Sequence, residues 1–501
     1  MKKSVLAMSL AMIGILGGCI TVEGGMSGEG SDAAVADIGR QAMPANYGWA
    51  AASGPVTGGS AATPENDFTV STRKELFDAV AKAGKLPKII RIKGTINLST
   101  DDSGRELTEK DYAVAPYNFN EYMKTYAPAV WNTKLESNGR PNRKLTGPQE
   151  EARDASVKKQ RDQITLKLPS NTTLVGLGSD AKIVKGNVWI GPESENVIIR
   201  NIAFEDAFDY FPAWDPADSF KIDKSYPGCQ DNYVDANTGP QKCPGGRWNS
   251  EYDSISVNGG KRVWIDHCSF NDGDRPDHLF PAPYPFPHNE VTQKLQHHDG
   301  MVDITNAADF VTISYSVFKD HDKAFLIGGS DSSKIDPGKL NVTLHSNYFE
   351  NVGQRAPRVR FGKVHVYNNY FVADATGLGV GNTAIEKHRY ELEHKPKTAN
   401  IARGLVGVGK DSAIYSEANV FEIKNGGADI AVSTYGGAKV FFDQGSVLNG
   451  KAVDLLAETN AAGGTPLKAD VGWKPTLYGK QVLPAAEVPA YVKANAGPGK
   501  L

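Results

Sequence analysis

Six octapeptides of one pattern recur along the chain, and they restrict the fold more than any other feature. They are VIIRNIAF (197–204), VWIDHCSF (263–270), VTISYSVF (311–318), VTLHSNYF (342–349), VHVYNNYF (364–371) and IYSEANVF (414–421). Position one is always Val or Ile, and position eight is always Phe. Position three is aliphatic except at Ser416. Apolar residues at positions one and three share one face of a strand. Phe at position eight breaks that period of two, so a turn must intervene. Asn347, Asn369 and Asn419 occupy position six, which suits a left-handed turn residue. Repeats this short cannot bury a core alone, but stacked coil on coil they form continuous apolar columns. The expected fold is therefore all-β, a right-handed parallel β-helix. A β-sandwich of similar strands is the alternative, and six matched copies favour the solenoid.

The octads start 66, 48, 31, 22 and 50 residues apart. The shortest interval fits one bare coil, and the longer ones carry long loop insertions at 216–247 and 272–296. Upstream, Thr72 and Glu75 read as the capping box of a short N-terminal helix ending at Gly84. A second helix is expected over 148–160. The domain then spans 67–450, with a Pro-rich tail, 451–501, packing back on the coils.

The first eighteen residues read as a leader. Lys2 and Lys3 precede a mostly apolar run too short to span a bilayer. It ends Leu-Gly-Gly-Cys, which resembles a bacterial lipobox, so Cys19 is the expected lipidation site. An ordinary secretory signal is the alternative; either way the chain is exported. Residues 19–66, rich in Gly, Ala and Ser, read as a flexible tether. Export permits a disulfide between Cys229 and Cys243, while Cys268 inside an octad reads as a buried thiol. Net charge is only -3, so any polyanion-binding surface must be local, and nothing suggests nucleic acid. A monomer touching the membrane only through Cys19 is expected.

Chemistry-bearing residues cluster between the octads. Asp299 and Asp303 precede one coil, and Asp253 lies a coil earlier, with Glu251 nearby. Adjacent coils are about 5 Å apart, so these carboxylates can converge. Converging carboxylates repel unless a hard cation such as Ca²⁺ joins them; three solvated loop acids are the other reading. Lys323, Arg355, Arg358 and Arg360 supply positive charge in the following segments. His297 and His298 lack zinc-site partners and read as loop residues, and Asp266 and His267 as structural.

VWIDHCSF, DGMVDIT followed by FVTISYSVF, and RAPRVR followed by VHVYNNYF resemble the pectate lyases of polysaccharide lyase family one. NTTLVGLGSDAKI and NVIIRNIAF resemble the early coils of that family. The resemblance implies calcium-assisted β-elimination of de-esterified polygalacturonate, yielding unsaturated oligogalacturonates. It implies Asp253, Asp299 and Asp303 as calcium ligands, with Glu251 helping to hold additional calcium. Lys323 and Arg360 are implied as substrate-binding, and Arg355 as the base that removes the C5 proton. Arg358 is a further candidate for substrate contact. Three rivals share the scaffold. A polygalacturonase would need carboxylates flanking the bond and carries a Gly-His-Gly, which is absent here. A pectin lyase lacks the calcium acids. A non-catalytic glycan-binding helix would not need those acids together with Lys323 and Arg355.

Overall fold

The octads stack in register. Val197, Val263, Val311, Val342, Val364 and Ile414 are successive cross-strand neighbours in a ten-stranded parallel sheet. The phenylalanines at position eight do the same in a second sheet. Their rings stack at 4.6–5.2 Å between centroids. That spacing matches the separation of paired strands, so the column is as regular as the backbone allows. A third, eight-stranded sheet closes each coil. In all three sheets strand order follows the chain, the signature of a parallel β-helix. This computed structural model describes residues 37–131, 144–216, 233–235, 239–241, 246–284, 288, 289, 294–376 and 400–501.

The turn inside each octad differs from its sequence reading. The left-handed residue is at position five, not six: Asn201, His267, Tyr315, Ser346, Asn368 and Ala418 all have φ between 46° and 59°. Position six serves another purpose. The Oδ1 of Asn369 accepts from the backbone N and the Nδ2 of Asn347, each at 3.0 Å, and Asn419 serves Asn369 in the same way. Asparagine there supplies both a donor and an acceptor, so the buried turn amides are satisfied from coil to coil.

The tether expected over 19–66 does not extend across 38–66. Met43, Ala50, Ala51 and Val56 are buried against Ile198 and Trp264. Backbone amides of Trp49, Ala50 and Gly59 donate to the hydroxyls of Thr343, Thr312 and Thr173 on the outer face of the first sheet. The small residues that suggested flexibility instead permit close approach: a Cβ on Gly59 would lie 1.7 Å from the carbonyl oxygen of Lys88. At the other end the tail runs back along the coils. Trp473 Nε1 donates to the Ala413 carbonyl, Leu483 N to Asn368 Oδ1 and Gly499 N to Asn201 Oδ1.

The helix Arg73–Ala83 carries the capping box and buries Leu76 and Ala79. The helix Pro148–Ile164 braces the region before Asp253, accepting from the Tyr252 hydroxyl at the Val157 carbonyl, 2.8 Å away. The roots of the two long loops meet: Trp214, Trp248 and Tyr284 share one aromatic cluster with Tyr122, Tyr126 and Trp131. Cys268 is free and buried, which pushes its thiol up to about 12. Cys19, Cys229 and Cys243 lie outside the described residues.

Candidate active site

The third sheet carries the charged residues. Its strands Ile255–Asn258, Val302–Thr305, Phe325–Ile327 and Arg358–Val359 are neighbours, and alternation sends Ile255, Val302 and Phe325 into the core. The outward row is Ser256, Asp303, Leu326 and Arg358. Asp253 and Asp299 precede their strands at the edge of this row.

The acids converge on the backbone of Gly300. Its N–H donates to Asp253 Oδ1 at 2.9 Å. A Cβ there would lie 2.4 Å from Asp303 Oδ1 and 2.9 Å from Asp253 Oδ1, so two carboxylate oxygens occupy the space a side chain would fill. Asp253 Oδ2 also accepts from Ser256 Oγ at 2.6 Å, and Asn187 Nδ2 holds Ser256 Oγ and the Asp253 carbonyl. Asp303 Oδ1 accepts from Leu326 N at 2.9 Å. Burial, reinforced by the negative charge of Asp299, pushes the Asp303 carboxyl up to about 7. Burial, with Asp303 and Asp299 alongside, raises Asp253 well above the usual carboxylate range. Oxygen-only donors, tightly grouped and mutually repelling, fit a hard divalent cation.

The cations sit on the next coils. Lys323 Nζ lies 2.7 Å from Asp299 Oδ1 and 3.2 Å from Gln296 Oε1. Gln296 in turn donates to Asp322, which pairs with Arg403. Arg355 has φ 59°, and its carbonyl accepts from Phe325 N at 2.6 Å. Its positive charge favours the ionised form of Asp303. Its Nε is buried and meets no partner among the described residues. The Arg358 guanidinium lies 3.9 Å over the Tyr435 ring, and burial beside Arg360 and Arg355 pulls it down to about 10. Arg360 is held by Asp331 Oδ1 at 2.5 Å and the Gly328 carbonyl at 2.7 Å. Glu251 stands apart: it pairs with Arg161 at 3.0 Å on a largely exposed surface.

Sequence reasoning missed a buried histidine network behind the acids. His297 and His298 lie in a loop, as read, but both are buried. Asp272, Asp277 and His298 offer ligand atoms within 4.8 Å of one another. His298 Nδ1, however, lies 2.7 Å from Asp277 Oδ1 and Nε2 lies 3.1 Å from Asp206 Oδ1. Both ring nitrogens thus face carboxylates, which hold it protonated, well above its usual range despite burial, and leave no lone pair for a metal. His321 bridges Asp272 Oδ1 and the Asp299 carbonyl, each at 2.6 Å, and so fixes the backbone of a site acid. Asp266 is structural as read, buried against Arg200 and His267.

A family model described as pectate lyase matches residues 145–501. A pectate lyase of Bacillus subtilis (strain 168) is 39% identical over 502 residues, covering 100% of both chains. Pectate lyase A of Dickeya chrysanthemi is 32% identical, covering 96% of this chain and 95% of that relative. A solved pectate lyase bound to hexasaccharide superposes with a TM-score of 0.77 at 39% identity, over 93% of this chain and 100% of that one. The pectate lyase of Acidovorax avenae subsp. citrulli gives 0.74 at 34% identity, over 92% of this chain and 97% of that one.

Proposed function

The chain belongs to the pectate lyase family, and on that premise we propose that Asp253, Asp299, Asp303 and Arg355 perform a calcium-assisted β-elimination on de-esterified polygalacturonate. The observation that carries this reading is the convergence of Asp253 and Asp303 on Gly300, with Lys323 and Arg355 on the coils that follow. Asp253, Asp299 and Asp303 would hold Ca²⁺, which would neutralise the uronate carboxylate and acidify its C5 proton. Lys323 and Arg360 bind substrate carboxylates, and Arg358 lies in the same outward row as Asp303. Arg355, whose Nε has no described partner, takes the C5 proton. The C4–C5 double bond forms as the bond from C4 to the glycosidic oxygen breaks, and the departing chain carries the oxygen away. An arginine is ordinarily a permanent cation, so this base works best under alkaline conditions. Glu251, paired with Arg161, is at most a ligand for additional calcium.

A hydrolase would need two carboxylates on opposite sides of the bond with room for water. Here Asp253 and Asp303 instead meet on one side, beside Gly300. The leader, the acylated Cys19, the Cys229–Cys243 disulfide and a monomeric exported enzyme rest on the sequence alone. Among the described residues no helix is long and apolar enough to cross a membrane.

The deciding assay follows unsaturated product from de-esterified polygalacturonate, with chelator and after added Ca²⁺. Activity should vanish with chelator and return with Ca²⁺. Full activity in excess chelator would overturn the cation assignment, and release of saturated reducing ends would indicate a hydrolase.

A further inference from the structure

The outward row of the catalytic sheet continues past the acids. Cross-strand register runs Arg358, Leu326, Asp303, Ser256, Trp189, Lys167, one residue per coil. Trp189 is therefore two strand spacings from Asp303, about 10 Å, and Lys167 a further spacing on. These two residues line a groove of about 480 Å³ together with Val80, Lys85, Pro192 and Glu193. Trp189 is half-buried, while Lys85, Lys167 and Glu193 are exposed. The indole leans over the following turn: a Cβ on Gly191 would lie 3.1 Å from its Nε1. Among the described residues neither lysine forms a salt bridge, and the indole N–H has no acceptor.

We propose that this groove is a distal uronate subsite, in which Trp189 stacks on a sugar ring and Lys167 and Lys85 face its carboxylate. Continuity with the catalytic row fixes the occupant as a remote part of the same polygalacturonate chain. The chemistry agrees. A pyranose presents an apolar C–H face to an aromatic ring, while its hydroxyls and carboxylate seek donors. Two lysines against the single Glu193 leave the groove positive, which suits a polyanion. The aromatic sits on the sheet itself rather than on a loop, so it is held in place before substrate arrives. The inference rests on Asp303 marking the reaction centre.

The test is chain-length dependence. Turnover of Trp189→Ala and Trp189→Phe would be measured on polygalacturonate, hexagalacturonate and successively shorter oligomers, at saturating Ca²⁺. Trp189→Ala should lower kcat/KM on the polymer about tenfold. The loss should shrink as the oligomer shortens, and Trp189→Phe should recover most of it. Lys167→Ala should weaken polymer turnover more at low than at high salt. Calorimetric titration of hexagalacturonate into Arg355→Lys and into the double variant with Trp189→Ala reads binding without turnover, and the double variant should bind more weakly. A loss of the same factor at every length, or no loss at any, would overturn the subsite. Asp303→Asn, run alongside, should abolish turnover at all lengths. If it does not, the row is not the substrate path and the proposal falls with it.

Discussion

The phenylalanine column and the acid site both arise from stacked coils, with opposite energetic sign, but only the phenylalanines are register partners: Asp303 pairs with Ser256 and Leu326, and Asp253 reaches it diagonally beside Gly300. Each coil places a residue on its counterpart in the next. In the second sheet this sets Phe270 on Phe204 and Phe318 on Phe270, with rings nearly parallel at 5.2 and 4.8 Å. The asparagines beside them also pair with their own kind, donor to acceptor. Apolar rings and amides are self-complementary, so stacking like on like stabilises them. Carboxylates are not. In the third sheet Asp253 and Asp303 meet at Gly300, and both are held above the ordinary carboxylate range. The repeat persists where self-stacking is favourable, and it lapses where stacking would bring together charges of one sign.

The largest effect expected from breaking the charged side is catalytic. Arg355→Lys should lower kcat by at least 10²–10⁴-fold, the usual scale for losing a general base. KM and calcium affinity should change little, because the proton transfer contributes only in the transition state. Steady-state kinetics at alkaline pH with calorimetric calcium titration would check this, and a near-normal kcat would place the base elsewhere.

Breaking the apolar side should cost stability instead. Phe318 is fully buried between Phe270 and Phe349. Phe318→Ala should lose about 3–5 kcal/mol, read from the denaturant midpoint. A loss below about 1 kcal/mol would mean the column is not what holds the coils together.

The smallest expected effect is at Arg360, where Asp331 and the Gly328 carbonyl orient the guanidinium. Arg360→Lys keeps the charge and loses the planar fork. KM should rise about three- to tenfold with kcat nearly constant. A fall in kcat alone would assign Arg360 to the chemical step.

The legible part of the sequence was the part that repeats. Val at position one and Phe at position eight revealed strands, coils and register, because their columns need the same side chain in every coil. The turn was half legible. Asn at position six was visible, but the left-handed residue at position five is variously Asn, His, Tyr, Ser and Ala, with no shared side chain to mark it. The N-terminal strap was misread because Gly and Ala denote flexibility and close approach alike. At the site, Asp299 and Asp303 stood out by their spacing. Gln296, Asp206, Asp272 and Asp277 did not, because their partners are far apart in sequence. The pair His298–Asp299 was the one available signal, and only the carboxylates of Asp277 and Asp206, which folding brings to its two ring nitrogens, show that the imidazole is charged.

The central claim is that the acids are brought together at a cost which a cation relieves. Burial, with Asp299 alongside, pushes the Asp303 carboxyl up to about 7, against an ordinary value of 3.8. The folded state therefore binds the proton more tightly than the unfolded chain does. Stability should be full at about pH 4 and should fall as pH rises through about 7, by on the order of 2–4 kcal/mol. Asp303→Asn retains the acceptor for Leu326 N and removes the charge. Thermal unfolding of calcium-free wild type and Asp303→Asn from pH 4 to 8 tests this directly. Asp303→Asn should show a flatter profile and melt above wild type at pH 8, and calcium should restore the wild type alone. Parallel profiles, or a variant less stable than wild type at pH 8 without calcium, would contradict the account.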